Sequence, residues 1–62
     1  MSAAAIKVIE REVALTEKLY RKARANYEAE PTEANHQRYR MDAAEHRATL
    51  DASIAILTEH AK

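Results

Sequence analysis

Glycine, cysteine, tryptophan and phenylalanine are absent from the chain, and proline occurs once. The lack of cysteine excludes disulfide bonds and thiolate zinc sites, which support many small domains. The lack of glycine excludes a glycine-rich phosphate loop. A chain of 62 residues buries only about 60% of the surface that its unfolded form exposes. Oligomerisation, or a metal bound without thiolates, is therefore the expected support for a marginally stable fold.

Neither net charge nor long apolar runs indicate a membrane or nucleic-acid partner. The ten Lys and Arg residues balance the ten Asp and Glu residues, so overall charge does not drive binding to anionic surfaces. No apolar run approaches the roughly 20 residues that span a bilayer, and no basic segment followed by an apolar stretch opens the sequence. We expect a cytoplasmic protein without a membrane partner.

Helix-forming residues dominate the composition, and Pro31 interrupts them once, near the middle. Proline disfavours helical geometry at Glu30, so a first helix should end near Ala29. Thr32 can cap a second helix, with Glu33 in its first turn. The sequence predicts an all-α single domain over 1–62, with helices over about 3–29 and 33–60 and a turn at about 30–32. A single kinked rod is the alternative.

Both predicted helices carry a line of residues at alternating three- and four-residue steps, the spacing of packed helices. The first line is Ile6, Ile9, Val13, Thr16, Tyr20, Ala23 and Tyr27; the second is His36, Tyr39, Ala43, His46, Leu50, Ser53 and Leu57. Folding about Pro31 into an antiparallel hairpin sets Tyr27 near His36, Thr16 near His46 and Val13 near Leu50. Ala23 then faces Tyr39 and Tyr20 faces Ala43, so that a large residue faces a small one at two successive layers, which supports this register.

More apolar surface remains than one partner helix can cover. Val8, Leu15 and Leu19 lie on one flank of the first line, and Met41 and Ile56 lie on the far side of the second helix. We interpret these five residues as a protein interface, and we expect two hairpins to pair into a four-helix bundle by dimerisation. For the second helix, whose stripe is mainly alanine, helix propensity is the alternative explanation.

Polar residues interrupt the apolar lines at one level of the hairpin. Glu12 falls inside the wide apolar arc of the first helix, and Thr16 and His46 face each other one turn away. Buried polar groups of this kind fix register and oligomeric state, so we assign Glu12, Thr16 and His46 to a polar core layer. A pH-sensitive role for His46 is the alternative.

Catalytic and metal-binding patterns are weak. A two-helix hairpin offers almost no concave pocket, and the sequence contains no nucleophile elbow and no His-Glu-x-x-His motif. Glu33 and His36 have the spacing of carboxylate-bridged metal sites, but the inward carboxylate of Glu12 lies more than two turns away. We expect no enzyme activity, no cofactor and no metal.

Basic residues concentrate in the half of the hairpin nearest the turn, interleaved with acids. The candidates for nucleic-acid contact are Arg21, Lys22, Arg24, Arg38 and Arg40. A solvated helix surface is the usual meaning of such a mixture. We therefore expect a non-enzymatic protein-binding module of adaptor, co-chaperone or inhibitor type, whose partner is itself or another helical protein. An RNA-binding dimeric four-helix bundle is the alternative.

Overall fold

The protein is a hairpin of two long helices. A computed structural model of the chain describes residues 3–61, with the side chains of residues 3–59. Helix α1 (Ala3–Ala29) and helix α2 (Glu33–Ala61) pack against each other along their lengths, in a body of 45 × 16 × 12 Å. The prediction of an all-helical hairpin is confirmed, and the single kinked rod is excluded.

The turn between the helices occupies three residues and is closed by backbone hydrogen bonds. Helix α1 ends at Ala29, two residues before Pro31, as steric exclusion of helical geometry before proline requires. The Glu30 N–H still donates to the Asn26 carbonyl at 2.9 Å, and the Thr32 N–H donates to the Glu30 carbonyl at 2.8 Å. The connector is therefore a tight reversal.

Thr32 caps helix α2, as predicted. Its hydroxyl oxygen accepts from the Asn35 backbone N–H at 3.2 Å, and its carbonyl accepts the first helical bond from the His36 N–H at 2.9 Å. The Asn35 side chain adds a bond that sequence reasoning missed, because its amide donates back to the Glu30 carbonyl at 2.9 Å. One side chain thus links the first turn of α2 to the connector.

Aromatic rings form the contact between the helices near the turn. The Tyr27 ring centroid lies 5.1 Å from that of His36 and 5.9 Å from that of Tyr39. The Tyr20 ring packs at 5.6 Å, edge to face, on Tyr39 and at 5.8 Å on His46. These distances confirm the predicted pairing of Tyr27 with His36 and fix the register of the hairpin from its closed end.

The hairpin has almost no apolar core. The four buried residues among the described side chains are small or polar, namely Thr16, Ala23, Asp42 and Ser53. Leu50 and Leu57, which were expected to be enclosed between the helices, keep 37% and 40% of their surface exposed. The physical reason is that two cylinders touch along one line, so a large side chain on that line is covered on one side only.

The capping geometry predicts the cost of losing the Thr32 hydroxyl. Replacing Thr32 by alanine leaves the Asn35 N–H without its acceptor, and we expect the free energy of unfolding to fall by about 1 kcal/mol. Urea denaturation at fixed protein concentration measures the loss. Thr58→Ala, at an exposed site inside α2, is the control and should be neutral. Equal stabilities of Thr32→Ala and the native protein would show that the cap contributes nothing.

Candidate functional site

An apolar groove runs between the helices near the open end of the hairpin. Val8 and Ile56, both assigned to an interface from the sequence, lie on opposite walls of this groove. Its full lining is Val8, Ile9, Glu12, Glu45, Ala48, Thr49, Ala52, Ser53 and Ile56. Small residues of α2 form the floor of this groove, and they leave room for an apolar side chain from another molecule. We call it the Val8 groove.

Leu15 and Leu19 lie on the same side of α1 as Val8, nearer the turn. At 3.6 residues per turn, Val8, Leu15 and Leu19 fall within an arc of about 40° and span about 16 Å of the helix. All three are exposed, Leu15 by 56%. Leu19 also borders a second depression nearer the turn, with Lys22 and Asn26. We call these three exposed apolar residues on one side of α1 the α1 stripe.

Met41 lies on a different surface. It is 64% exposed and lines a shallow depression with Glu33, Gln37, Arg40 and Ala44, all on α2. These residues face away from α1, so one docked helix cannot cover both Met41 and the α1 stripe. The five residues assigned to an interface from the sequence therefore lie on two separate surfaces, and Ile56, which was expected beside Met41 on the far side of α2, lies with Val8 instead.

A second apolar groove lies on the opposite side of the hairpin from the Val8 groove, and sequence reasoning did not single it out. Ile54 is 61% exposed there, and Val13, Leu50 and Leu57 line the same groove. The sequence did contain a signal for this groove. Ile54 is adjacent to Leu50 and Leu57 on the surface of α2, so the apolar face of α2 is wider than a single line of residues.

The polar level of the hairpin contains Thr16 and His46. Thr16 Oγ1 lies 2.9 Å from His46 Nδ1 and donates to the Val13 carbonyl at 3.1 Å. Because a hydroxyl has one proton, Thr16 accepts from His46, which fixes the proton on His46 Nδ1. Glu12, which was assigned to the same layer from the sequence, does not join this contact in the hairpin: its side chain is exposed and lines the Val8 groove, since it lies between the line of contact with α2 and the α1 stripe.

Most of the basic residues considered for nucleic-acid contact already have acidic partners. The pairs, each one turn apart in the same helix, are Arg21–Glu17 at 2.7 Å, Arg24–Glu28 at 3.1 Å and Arg38–Asp42 at 3.2 Å. The hydrogen bond and charge of Glu28 raise the pKa of the Arg24 guanidinium. Helix–surface pairs of this kind lower the positive potential that a phosphate backbone would meet.

The tyrosines near the turn form a polar contact within the aromatic cluster. The hydroxyls of Tyr20 and Tyr39 lie 3.5 Å apart, and this hydrogen bond is the main cause that raises the pKa of Tyr39. Tyr39 therefore stays neutral at physiological pH.

Among the described side chains of residues 3–59, no three His, Asp or Glu residues converge so that they could hold a metal ion. The His36 ring packs on the ring of Tyr27 and is not part of such a cluster. Neither described helix has an apolar stretch long enough to cross a bilayer.

Comparison with protein-family models, curated proteins and solved structures found no match to this chain.

The Thr16–His46 contact predicts a pattern in a double-mutant cycle. Thr16→Val leaves His46 Nδ1–H without its acceptor, so we expect the free energy of unfolding to fall by about 1–2 kcal/mol. Adding His46→Leu removes the orphaned donor and should recover much of that loss. Thr58→Val, at an exposed site of α2 outside both grooves, is the control. Urea denaturation that shows additive losses would contradict the coupling.

Proposed function

We propose that this chain is a small non-enzymatic protein-binding module, of adaptor, co-chaperone or inhibitor type, which acts through its apolar helix faces and assembles as a homodimeric four-helix bundle. The observation that carries the proposal is the inverted distribution of side chains. Large apolar residues stay on the surface of the hairpin, while the buried residues of the described chain are small or polar. The exposed set is Val8, Leu15, Leu19, Met41, Leu50, Ile54, Ile56 and Leu57.

Energetics favour covering these residues. Complete burial of a leucine or isoleucine side chain stabilises by about 1.5–3 kcal/mol, and only part of this is available within one hairpin. A two-helix chain without a disulfide is marginal on these terms. Any partner that binds the folded form alone therefore adds directly to its stability.

The form of the exposed surface suits a helix as the partner. The Val8 groove is bordered by the apolar residues of α1 and by alanines of α2, and it runs between two helices. Ridges of a third helix fit such a groove at the usual distance of about 8–10 Å between helix axes. Recognition through apolar anchors at helical spacing is a common mode of protein binding.

The chemistry of the surface supports a binding role over a catalytic one. Catalysis requires convergent polar groups in a partly dry cavity. Three arginines in the half nearest the turn pair with acids along their own helices, and the grooves at the open end have mainly aliphatic walls. An exposed apolar surface of this kind is typical of protein contacts.

A charge substitution in the α1 stripe tests the proposal. We expect Leu15→Glu with Leu19→Glu to abolish self-association, because an unpaired carboxylate in a desolvated contact costs several kcal/mol. Sedimentation equilibrium should give about the mass of one 7.0 kDa chain for this variant and twice that mass for the native protein. Ala25→Glu, on an exposed part of α1 away from the stripe, is the control and should remain dimeric.

Neutralising the basic residues tests the alternative function, RNA binding. Arg21→Gln, Arg24→Gln and Arg40→Gln should leave the dimer intact, because exposed charges contribute little to affinity. If the native protein retains an RNA stem-loop on a filter, loses it steeply between about 50 and 200 mM salt, and loses it in this variant, RNA binding replaces the proposal.

A further inference from the structure

We infer that the occupant of the α1 stripe is the same stripe of a second copy, running antiparallel across a two-fold axis at the level of Glu17, whose own side chain lies on the other side of α1. The inference rests on the proposed homodimer and adds its contact face, its symmetry and its pairing. The relevant residues of each copy are Val8, Glu12, Leu15, Leu19, Lys22 and Asn26.

The direction of the α1 stripe suits a four-helix arrangement. At about 100° per residue, the stripe lies roughly 70° around α1 from the mean direction of Thr16 and Ala23, the two buried residues on the line that contacts α2. In a bundle of four helices, each helix has two neighbours about 90° apart. One neighbour of α1 is α2, so a second neighbour belongs over Leu15 and Leu19.

Four residues on this side of α1, two of them in the α1 stripe, are placed symmetrically along the sequence about position 17. Leu15 and Leu19 stand two residues on either side of it, and Glu12 and Lys22 stand five residues on either side. A two-fold axis at this level sets Leu15 opposite Leu19 of the second copy and Glu12 opposite Lys22 of the second copy. Glu17 is also next to the middle residue of Ala3–Ala29, so the two helices overlap along almost their whole length.

Charge complementarity supports the antiparallel direction. Glu12 and Lys22 of one chain are about 15 Å apart along the helix, too far to pair with each other. Lys22 borders the same depression as Asp42, but that carboxylate already receives Arg38 at 3.2 Å. Across the two-fold axis each Glu12 meets one Lys22, so the dimer gains two opposite-charge pairs that flank its leucines.

The neighbouring edge of α2 can be covered at little cost. The Ser53 hydroxyl donates to the Thr49 carbonyl at 2.7 Å, and the Thr49 hydroxyl donates to the Glu45 carbonyl at 2.9 Å. Since these donors are satisfied within their own helix, a second copy that displaces water from the Val8 groove leaves neither donor unpaired.

Charge reversal and its rescue test the pairing. Glu12→Lys and Lys22→Glu should each raise the dimer dissociation constant by about tenfold or more, because each creates two like-charge contacts. The double variant restores opposite charges and should return to within about threefold of the native value. Glu10→Lys, the same change in the opposite groove, is the control and should leave the constant unchanged. Sedimentation equilibrium measures all five proteins, and circular dichroism verifies their helicity.

Cysteine cross-linking provides a second readout, since the native chain has no cysteine. Oxidation of mixed Leu15→Cys and Leu19→Cys proteins should favour the mixed disulfide over either homodimeric one. A dimer whose double charge variant is weaker than both single variants, or whose homodimeric disulfides dominate, overturns the pairing but not the homodimer. A native protein that is monomeric at all concentrations overturns both.

Discussion

Two helices share a single line of contact, and this constraint governs the structure. In a hairpin, the partner helix covers only one side of each large side chain. A sheet or a third helix would cover a second side. The chain therefore buries small residues such as Ala23 within the hairpin and leaves leucines partly in water. Its unburied apolar surface follows from its architecture, and so does its expected need for a partner.

The line of contact is divided into two chemically different halves. Near the turn, aromatic rings pack on one another and set the register of the hairpin; these are the rings of Tyr20, Tyr27, His36 and Tyr39. Planar rings at the turn reach across the gap between helices and exclude water without a deep core. Toward the open end the residues are aliphatic and exposed. The closed half of the hairpin thus specifies the fold, and the open half offers the apolar grooves for association.

Much of this architecture could be predicted because local rules dominate it. Pro31 and Thr32 locate the turn, and the spacing of aromatic and polar residues determines which of them meet, including Thr16 and His46. Burial was less predictable, because a helical period tells which side of a helix a residue occupies and not whether anything covers it. Glu12 and Leu50 are more exposed than expected for this reason. The Asn35 bond to the connector depends on a side-chain rotamer, which no periodicity encodes.

The central claim is that the hairpin completes its fold by association, and the concentration dependence of thermal unfolding tests it most directly. If folding and dimerisation are coupled, the midpoint measured by circular dichroism rises steadily as protein concentration increases from low micromolar upward. The account predicts this rise, with two chains of 7.0 kDa per folded particle. A midpoint independent of concentration, together with a fully helical particle of one chain, would contradict it.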